Sequence, residues 1–178
     1  TPDGGFGGIV ESKRDKPWIV AVHGSALGGG LEFMLACDLR VVADSTVLGL
    51  PEVKRGLFAG AGGVYRLPRQ IPRAIALEMI ALGEPITAER AYALGLVNAV
   101  VPQDKVLETA LDYARRICGN APLSVRESLK AARASHDRHE EHSMAEMRRI
   151  LERLLQTEDF KEGPRAFVEK RAPRWQGR

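Results

Sequence analysis

PWIVAVHGSALGGGLEFMLAC, residues 17–37, packs a strand, a turn and the start of a helix into one short run. Trp18 to Val22 is almost continuously apolar. It follows Pro17 and leads into the glycine-rich segment Gly24 to Gly30, the pattern of a buried strand entering a tight turn. Leu31 to Cys37 has helical composition, and Asp38 interrupts it. Arg40 to Ala43 and Val47 to Leu50 read as brief strands parted by Asp44 and Ser45. The unit is strand, glycine turn, helix, strand, strand.

Working outward, a second glycine cluster, Gly60 to Gly63, precedes a short helix. Pro72 opens a helix over Ala74 to Leu82, a favourable place for a residue without an N–H. Thr87 can cap a helix from Ala88 to Leu94 that Gly95 ends, and Val97 to Val101 returns to strand. From about Asp104 the chain is helical and polar. Asp104 caps a helix reaching Cys118, and Ser124 with Glu127 forms a capping-box pattern beside a second start signal, Pro122. Met144, Met147, Ile150, Leu151, Leu154 and Leu155 recur at helical spacing as one apolar stripe. A helical tail with one apolar face and little sheet to rest on points to subunit contacts.

A chain of 178 residues is one domain, or a domain with an appendage, and can bury a core without metals or staples. At 44% hydrophobic and 28% charged residues it does not have the composition of a disordered protein. No run approaches the roughly 20 apolar residues of a membrane span. Cys37 and Cys118 form neither a disulfide framework nor a zinc site, so a reducing, cytoplasmic compartment is expected. Residues 1–121 hold 13 basic and 13 acidic side chains and residues 122–178 hold 13 and 10, so the net charge of +3 sits entirely at the C-terminal end. Without an arginine-rich arm this argues against nucleic acid and fits a compact anionic ligand. The opening from Thr1 has no signal-peptide pattern and reads as the interior of a longer protein.

Three groups of residues carry candidate chemistry. Gly28, Gly29 and Gly30 lie between strand and helix, where unpaired backbone N–H groups and the helix dipole can hold a phosphate or a developing oxyanion. The spacing is neither a dinucleotide fingerprint nor a P-loop, and Ser25 lacks a nucleophile elbow; a turn needed only for close packing is the plainer alternative. Glu32 lies in the first turn of the helix among Leu31, Phe33, Met34 and Leu35, and Glu52 follows the apolar strand end Leu48 to Pro51. Two carboxylates in apolar surroundings at the ends of neighbouring elements can share one cleft and move protons there. Taken singly, Glu32 also suits a helix dipole and Glu52 a surface turn. His136, His139 and His142 fall three apart among charged neighbours and read as a solvated face, so no metal site is expected. His23 reads as a core or turn residue.

In KPWIVAVHGSALGGGLEF, CDLRVVAD and LGLPEVKRGLFAGAGGVYRLPR, extending to AFVEKRAPRWQGR, the chain resembles the crotonase (enoyl-CoA hydratase/isomerase) superfamily over essentially its whole length. Its ending, with LPRQIPRAIALEMI, looks most like the carnitinyl-CoA dehydratase branch. The resemblance implies an α/β fold, the C-terminal portion of a crotonase-like ββα spiral over 1–118, with a helical trimerisation region over 119–178. It implies a homotrimer or dimer of trimers. It implies an enzyme, an enoyl-CoA hydratase or dehydratase acting at the 2,3-position of an acyl-CoA thioester, with a crotonobetainyl or carnitinyl substrate in view. No separate cofactor is implied, since coenzyme A is part of the substrate, and fatty acid metabolism is the implied setting.

By the same resemblance one oxyanion-hole amide falls on Gly29 and the two catalytic glutamates fall on Glu32, for the water, and Glu52, for the Cα proton. Gly28, Gly60 and Gly63 line the substrate, and Phe167 and Lys170 contact the CoA nucleotide. Ala59 stands where the family usually has Pro, and Val64-Tyr65 where it has Thr-Gln; both places shape the acyl pocket. The family segment that brings the other oxyanion amide and most of the CoA loop has no counterpart here. An isomerase using one glutamate, and a non-catalytic oligomeric or RNA-binding relative, are the competing readings.

Overall fold

Two consecutive strands, β1 (Ile19–Val22) and β2 (Ser25–Leu27), go to different sheets, and helix α1 (Gly29–Ala36) follows them. The pattern then recurs with β3 (Leu39–Ala43) and β4 (Val47–Gly49). In this computed structural model, which describes residues 1–178, β1, β3 and β6 (Ala99–Val101) lie side by side and parallel, with Ala21 opposite Val41 and Val41 opposite Ala99. The second sheet pairs β2 with β4 in parallel and β4 with β5 (Ile86–Thr87) antiparallel. Parallel neighbours require a crossover, and α1 supplies it between β2 and β3. The result is a ββα spiral in which each turn adds one strand to each sheet.

Apolar side chains from successive turns meet between the layers. Leu31, Met34 and Leu35 of α1 pack with Leu48, Leu50, Leu67 of α2 (Gly63–Gln70) and Met79 of α3 (Arg73–Leu82). On the far side, Val41 and Ala43 meet Val106 and Ala110 of α5 (Val106–Cys118).

Several local expectations are met. Thr87 caps α4 (Ala88–Ala93), its Oγ1 accepting from the Arg90 N–H at 3.1 Å. Others are corrected. The glycine-rich segment is not a single turn, because Ser25–Leu27 pairs with β4 and buries Ala26. Strand β1 is only half buried and exposes Ala21, because it is an edge strand while β3 holds the centre. Asp104 lies within a short 3-10 helix, Gln103–Lys105, that runs into α5. Ser124 sits inside α6 (Pro122–Ser135), which starts at Pro122 with no side-chain cap. The proline wins because its missing N–H is one that the first turn cannot satisfy anyway.

The chain divides into two packed units, Thr1–Tyr113 and Ala114–Arg178, with the boundary inside α5. In the second, α6 packs on α7 (Glu140–Leu155), and α8 (Glu158–Val168) is capped by Thr157. Buried Asp159 accepts the N–H groups of Gln176 and Gly177 at 2.6 and 2.9 Å, and Trp175 donates to the Gly119 carbonyl at 2.8 Å, so the last residues are stitched down. The α7 stripe is present, but of it only Ile150 is buried; Met147 and Leu151 are 58% and 56% exposed. No helix is long and apolar enough to cross a membrane.

Candidate active site

Parallel pairing sends the C-terminal ends of β2 and β4 out on the same side, and the candidate groups collect there. Gly28 ends β2 with a φ of 57°, a left-handed conformation that favours glycine. Its N–H donates to the Gly49 carbonyl at the end of β4 (2.9 Å), and its carbonyl accepts from the Glu32 N–H (3.1 Å). Gly29 is the first residue of α1, so its N–H has no acceptor within the helix, and the positive end of the helix dipole lies there. The ring of Phe6 lies against Gly29 and stacks on Phe33 with 5.1 Å between centroids.

Glu32 is 4% exposed. Its Oε1 accepts from the backbone N–H of Gly63, the first residue of α2, at 2.9 Å. The carboxylate thus bridges the opening turns of two helices. Glu52 is the second residue of a 3-10 helix, Pro51–Arg55, directly beyond β4. Its Oε1 lies 3.1 Å from the point a Cβ on Gly28 would occupy. Its Oε2 is buried and has no protein hydrogen-bond partner. Across 20 residues of chain both glutamates thus meet Gly28, Glu32 through its backbone N–H and Glu52 through a carboxylate oxygen beside it, while the Glu32 carboxylate is tied to Gly63.

The remaining sequence-derived residues fall in different places. Gly60 is exposed beside the Phe58 ring. Gly63 gives its N–H to Glu32, so that donor is taken and is not open to a ligand. Phe167, 86% exposed, and Lys170, which follows α8, belong to the second unit. His139 and His142 tilt toward each other at 6.5 Å, also in the second unit. His23 is exposed in the turn after β1.

Two residues beside the site escaped the sequence reading. Phe6 covers Gly29, and Arg66 donates to the carbonyls of Ala61 (3.0 Å) and Val10. Neither carries a motif, and the Arg66 to Val10 pairing joins residues 56 apart.

Comparison with known proteins places these features in context. A family model described as enoyl-CoA hydratase/isomerase matches residues 11–178. Carnitinyl-CoA dehydratase of Salmonella typhi is 42% identical over 98% of this chain and 69% of its own length. (E)-benzylidenesuccinyl-CoA hydratase of Thauera aromatica is 44% identical over 95% of this chain and 66% of its own. The crystal structure of an enoyl-CoA hydratase from Mycobacterium tuberculosis H37Rv superposes with a TM-score of 0.93 at 44% identity, covering 96% of this chain and 68% of that one. An enoyl-CoA hydratase from Bacillus anthracis gives 0.90 at 39% identity, over 92% and 64%. The chain spans about two thirds of the length of these relatives.

Proposed function

The chain belongs to the enoyl-CoA hydratase/isomerase family, and from that premise we propose that it adds water across, or removes it from, the 2,3-double bond of an acyl-CoA thioester. The observation that carries the reading is two glutamates that meet at Gly28: Glu32, whose N–H donates to the Gly28 carbonyl and whose carboxylate takes the Gly63 N–H, and Glu52, beside Gly28 with a buried oxygen that no protein group satisfies. A buried, unpartnered carboxylate oxygen is costly in a purely structural role and useful in a catalytic one.

In this reading the thioester oxygen rests on the Gly29 N–H. Glu32 orients a water and takes its proton as the new C–O bond forms at Cβ. The π electrons of the double bond move onto the thioester oxygen as an enolate, and the amide stabilises that charge; one such donor contributes ~3 kcal/mol to the transition state. Collapse of the enolate takes a proton from Glu52 at Cα. Dehydration runs the same steps backward. Gly28 and Gly60 flank the acyl group, and Phe167 and Lys170 meet the anionic CoA nucleotide, in keeping with the basic excess of residues 122–178. Coenzyme A enters as part of the substrate, and the chemistry calls for no further cofactor.

Acyl selectivity is proposed to favour a carnitine-derived or similar short enoyl-CoA, supported by the likeness to carnitinyl-CoA dehydratase over 98% of the chain. The protein is proposed to work in the cytoplasm as a homotrimer or a dimer of trimers. Incubation of crotonobetainyl-CoA and crotonyl-CoA in heavy-oxygen water tests the reaction type. The label appears at Cβ of the product if the reading holds. A shifted double bond without label would replace hydration by isomerisation.

A further inference from the structure

We infer that Arg66 is a positioning residue for the glutamate pair: it fixes the Gly60–Gly63 turn and, through the Gly63 N–H, the Glu32 carboxylate. This rests on the proposal that Glu32 acts on the water. Arg66 lies in the first turn of α2, and its side chain reaches back to the turn. Nη1 donates to the Ala61 carbonyl at 3.0 Å, while the backbone N–H makes the ordinary first bond of α2, to the Gly62 carbonyl at 2.9 Å.

The Gly62–Gly63 peptide is planar, so its carbonyl and its N–H point in opposite directions. The helix bond to the Gly62 carbonyl aims that N–H, which lies 2.9 Å from Glu32 Oε1, and the guanidinium on the Ala61 carbonyl holds the peptide next to it. The turn is shaped to admit the guanidinium. Gly62 has a φ of 115°, and a Cβ there would overlap Nη1 of Arg66.

Two further contacts extend the grip. Arg66 Nη2 donates to the carbonyl of buried Val10, which follows the glycine-rich segment carrying Phe6, the ring that lies on Gly29. One guanidinium thus ties together the two pieces of chain that flank the candidate oxyanion amide and the candidate base. Tyr65 supports the plane, with the Arg66 guanidinium carbon 4.9 Å from its ring centroid and that of Arg69 at 5.7 Å. A planar fork of fixed donors can reach two carbonyls at once. A lysine ammonium on a flexible stem cannot reproduce that geometry.

The test compares Arg66→Lys and Arg66→Met with the unaltered protein in the full chain. Hydration of crotonyl-CoA gives kcat and KM, and thermal melting gives stability. Hydrogen exchange read by mass spectrometry follows the peptide containing Ala61 to Arg66. A misplaced base lowers kcat by roughly 10- to 100-fold, since small displacements in an active site cost rates of that order. The expected result is such a loss in Arg66→Met, with KM within about threefold, a smaller loss in Arg66→Lys, and faster exchange in the turn in both. Unchanged kcat in both variants overturns the inference, as does a parallel loss of kcat, KM and melting temperature. If the unaltered protein hydrates no enoyl-CoA, the functional reading fails instead, and the exchange arm still decides whether Arg66 holds the turn: unchanged protection in Arg66→Met would show that it does not.

Discussion

Glu32 meets Gly28 through its backbone and Glu52 through its carboxylate, and the surroundings of the two acids differ. Glu32 is held by Gly63, whereas Glu52 keeps a buried oxygen with no protein partner. Replacing either carboxylate by its amide preserves size and removes the capacity to take or give the proton. Glu32→Gln and Glu52→Gln are each expected to lower the hydration rate by about 100-fold or more, the usual scale of general acid–base catalysis, with KM little altered. Steady-state kinetics on crotonyl-CoA check this, and near-normal turnover in either variant contradicts the two-carboxylate scheme. Both glutamates could be picked out in the sequence because each is an acid embedded in an apolar run beside glycine or proline. The Gly63 partner of Glu32 could not, because its N–H depends on backbone direction 31 residues away, and neither could the Arg66 bond to Val10, which spans 56 residues.

At the scale of the element, α1 is closed by a buried arginine. Arg40 donates from its guanidinium to the carbonyls of Met34 (2.7 Å), Cys37 (2.9 Å) and Leu35 (3.3 Å), and to Leu96 (2.9 Å). These include carbonyls that the end of a helix leaves without intrahelical partners. Burial draws the Arg40 pKa below its ordinary value, while Cys37 and Asp38 pull it back up. Met34 keeps the Cys37 N–H and Leu35 keeps the Gln70 side chain, so Arg40→Met would strand the Cys37 and Leu96 carbonyls, with an expected cost of about 2–4 kcal/mol of stability, measurable by urea unfolding. A cost near zero would mean that the carbonyls find other partners.

The last turns of the second unit give a pH-dependent counterpart. Hydrogen bonds from Arg171, and then from the Arg174 N–H, hold the Glu162 carboxyl down to about 2 from an ordinary value of 4.5. A folded pKa below the unfolded one stabilises the folded form above about pH 4.5, and that contribution disappears as pH falls toward 2. Trp175, bonded to the Gly119 carbonyl, reports the event. In a Trp18→Phe background its emission is expected to shift red between those pH values, and a Glu162→Gln variant should lose that acid-dependent step. Element positions were largely readable from hydrophobic period and from proline and glycine punctuation. Strand β2 was not, because three residues between glycines carry no period. The start of α6 was left between Ser124 and Pro122, and the structure takes Pro122, which pre-empts the cap pattern.

At the scale of the whole molecule, the second unit leaves an apolar groove unfilled. Glu127, Ala131, Met147, Ile150, Leu151 and Leu154 line a space of about 430 Å³ between α6 and α7. If the protein assembles as proposed, sedimentation velocity finds a trimer or hexamer, and Met147→Lys with Leu151→Lys shifts it toward smaller species. A monomer at micromolar concentration would contradict the assembly. The helical spacing of Met147, Ile150, Leu151 and Leu154 marked this face in the sequence, whereas the α6 residues that complete the groove carried no such signal.

The most direct test of the central claim is a crystal structure of the protein with an unreactive enoyl-CoA analogue bound. The account predicts the thioester oxygen at hydrogen-bond distance, about 2.9 Å, from the Gly29 nitrogen, with Glu32 and Glu52 both facing the C2–C3 bond. A thioester bound elsewhere, or either carboxylate turned away from that bond, would contradict it.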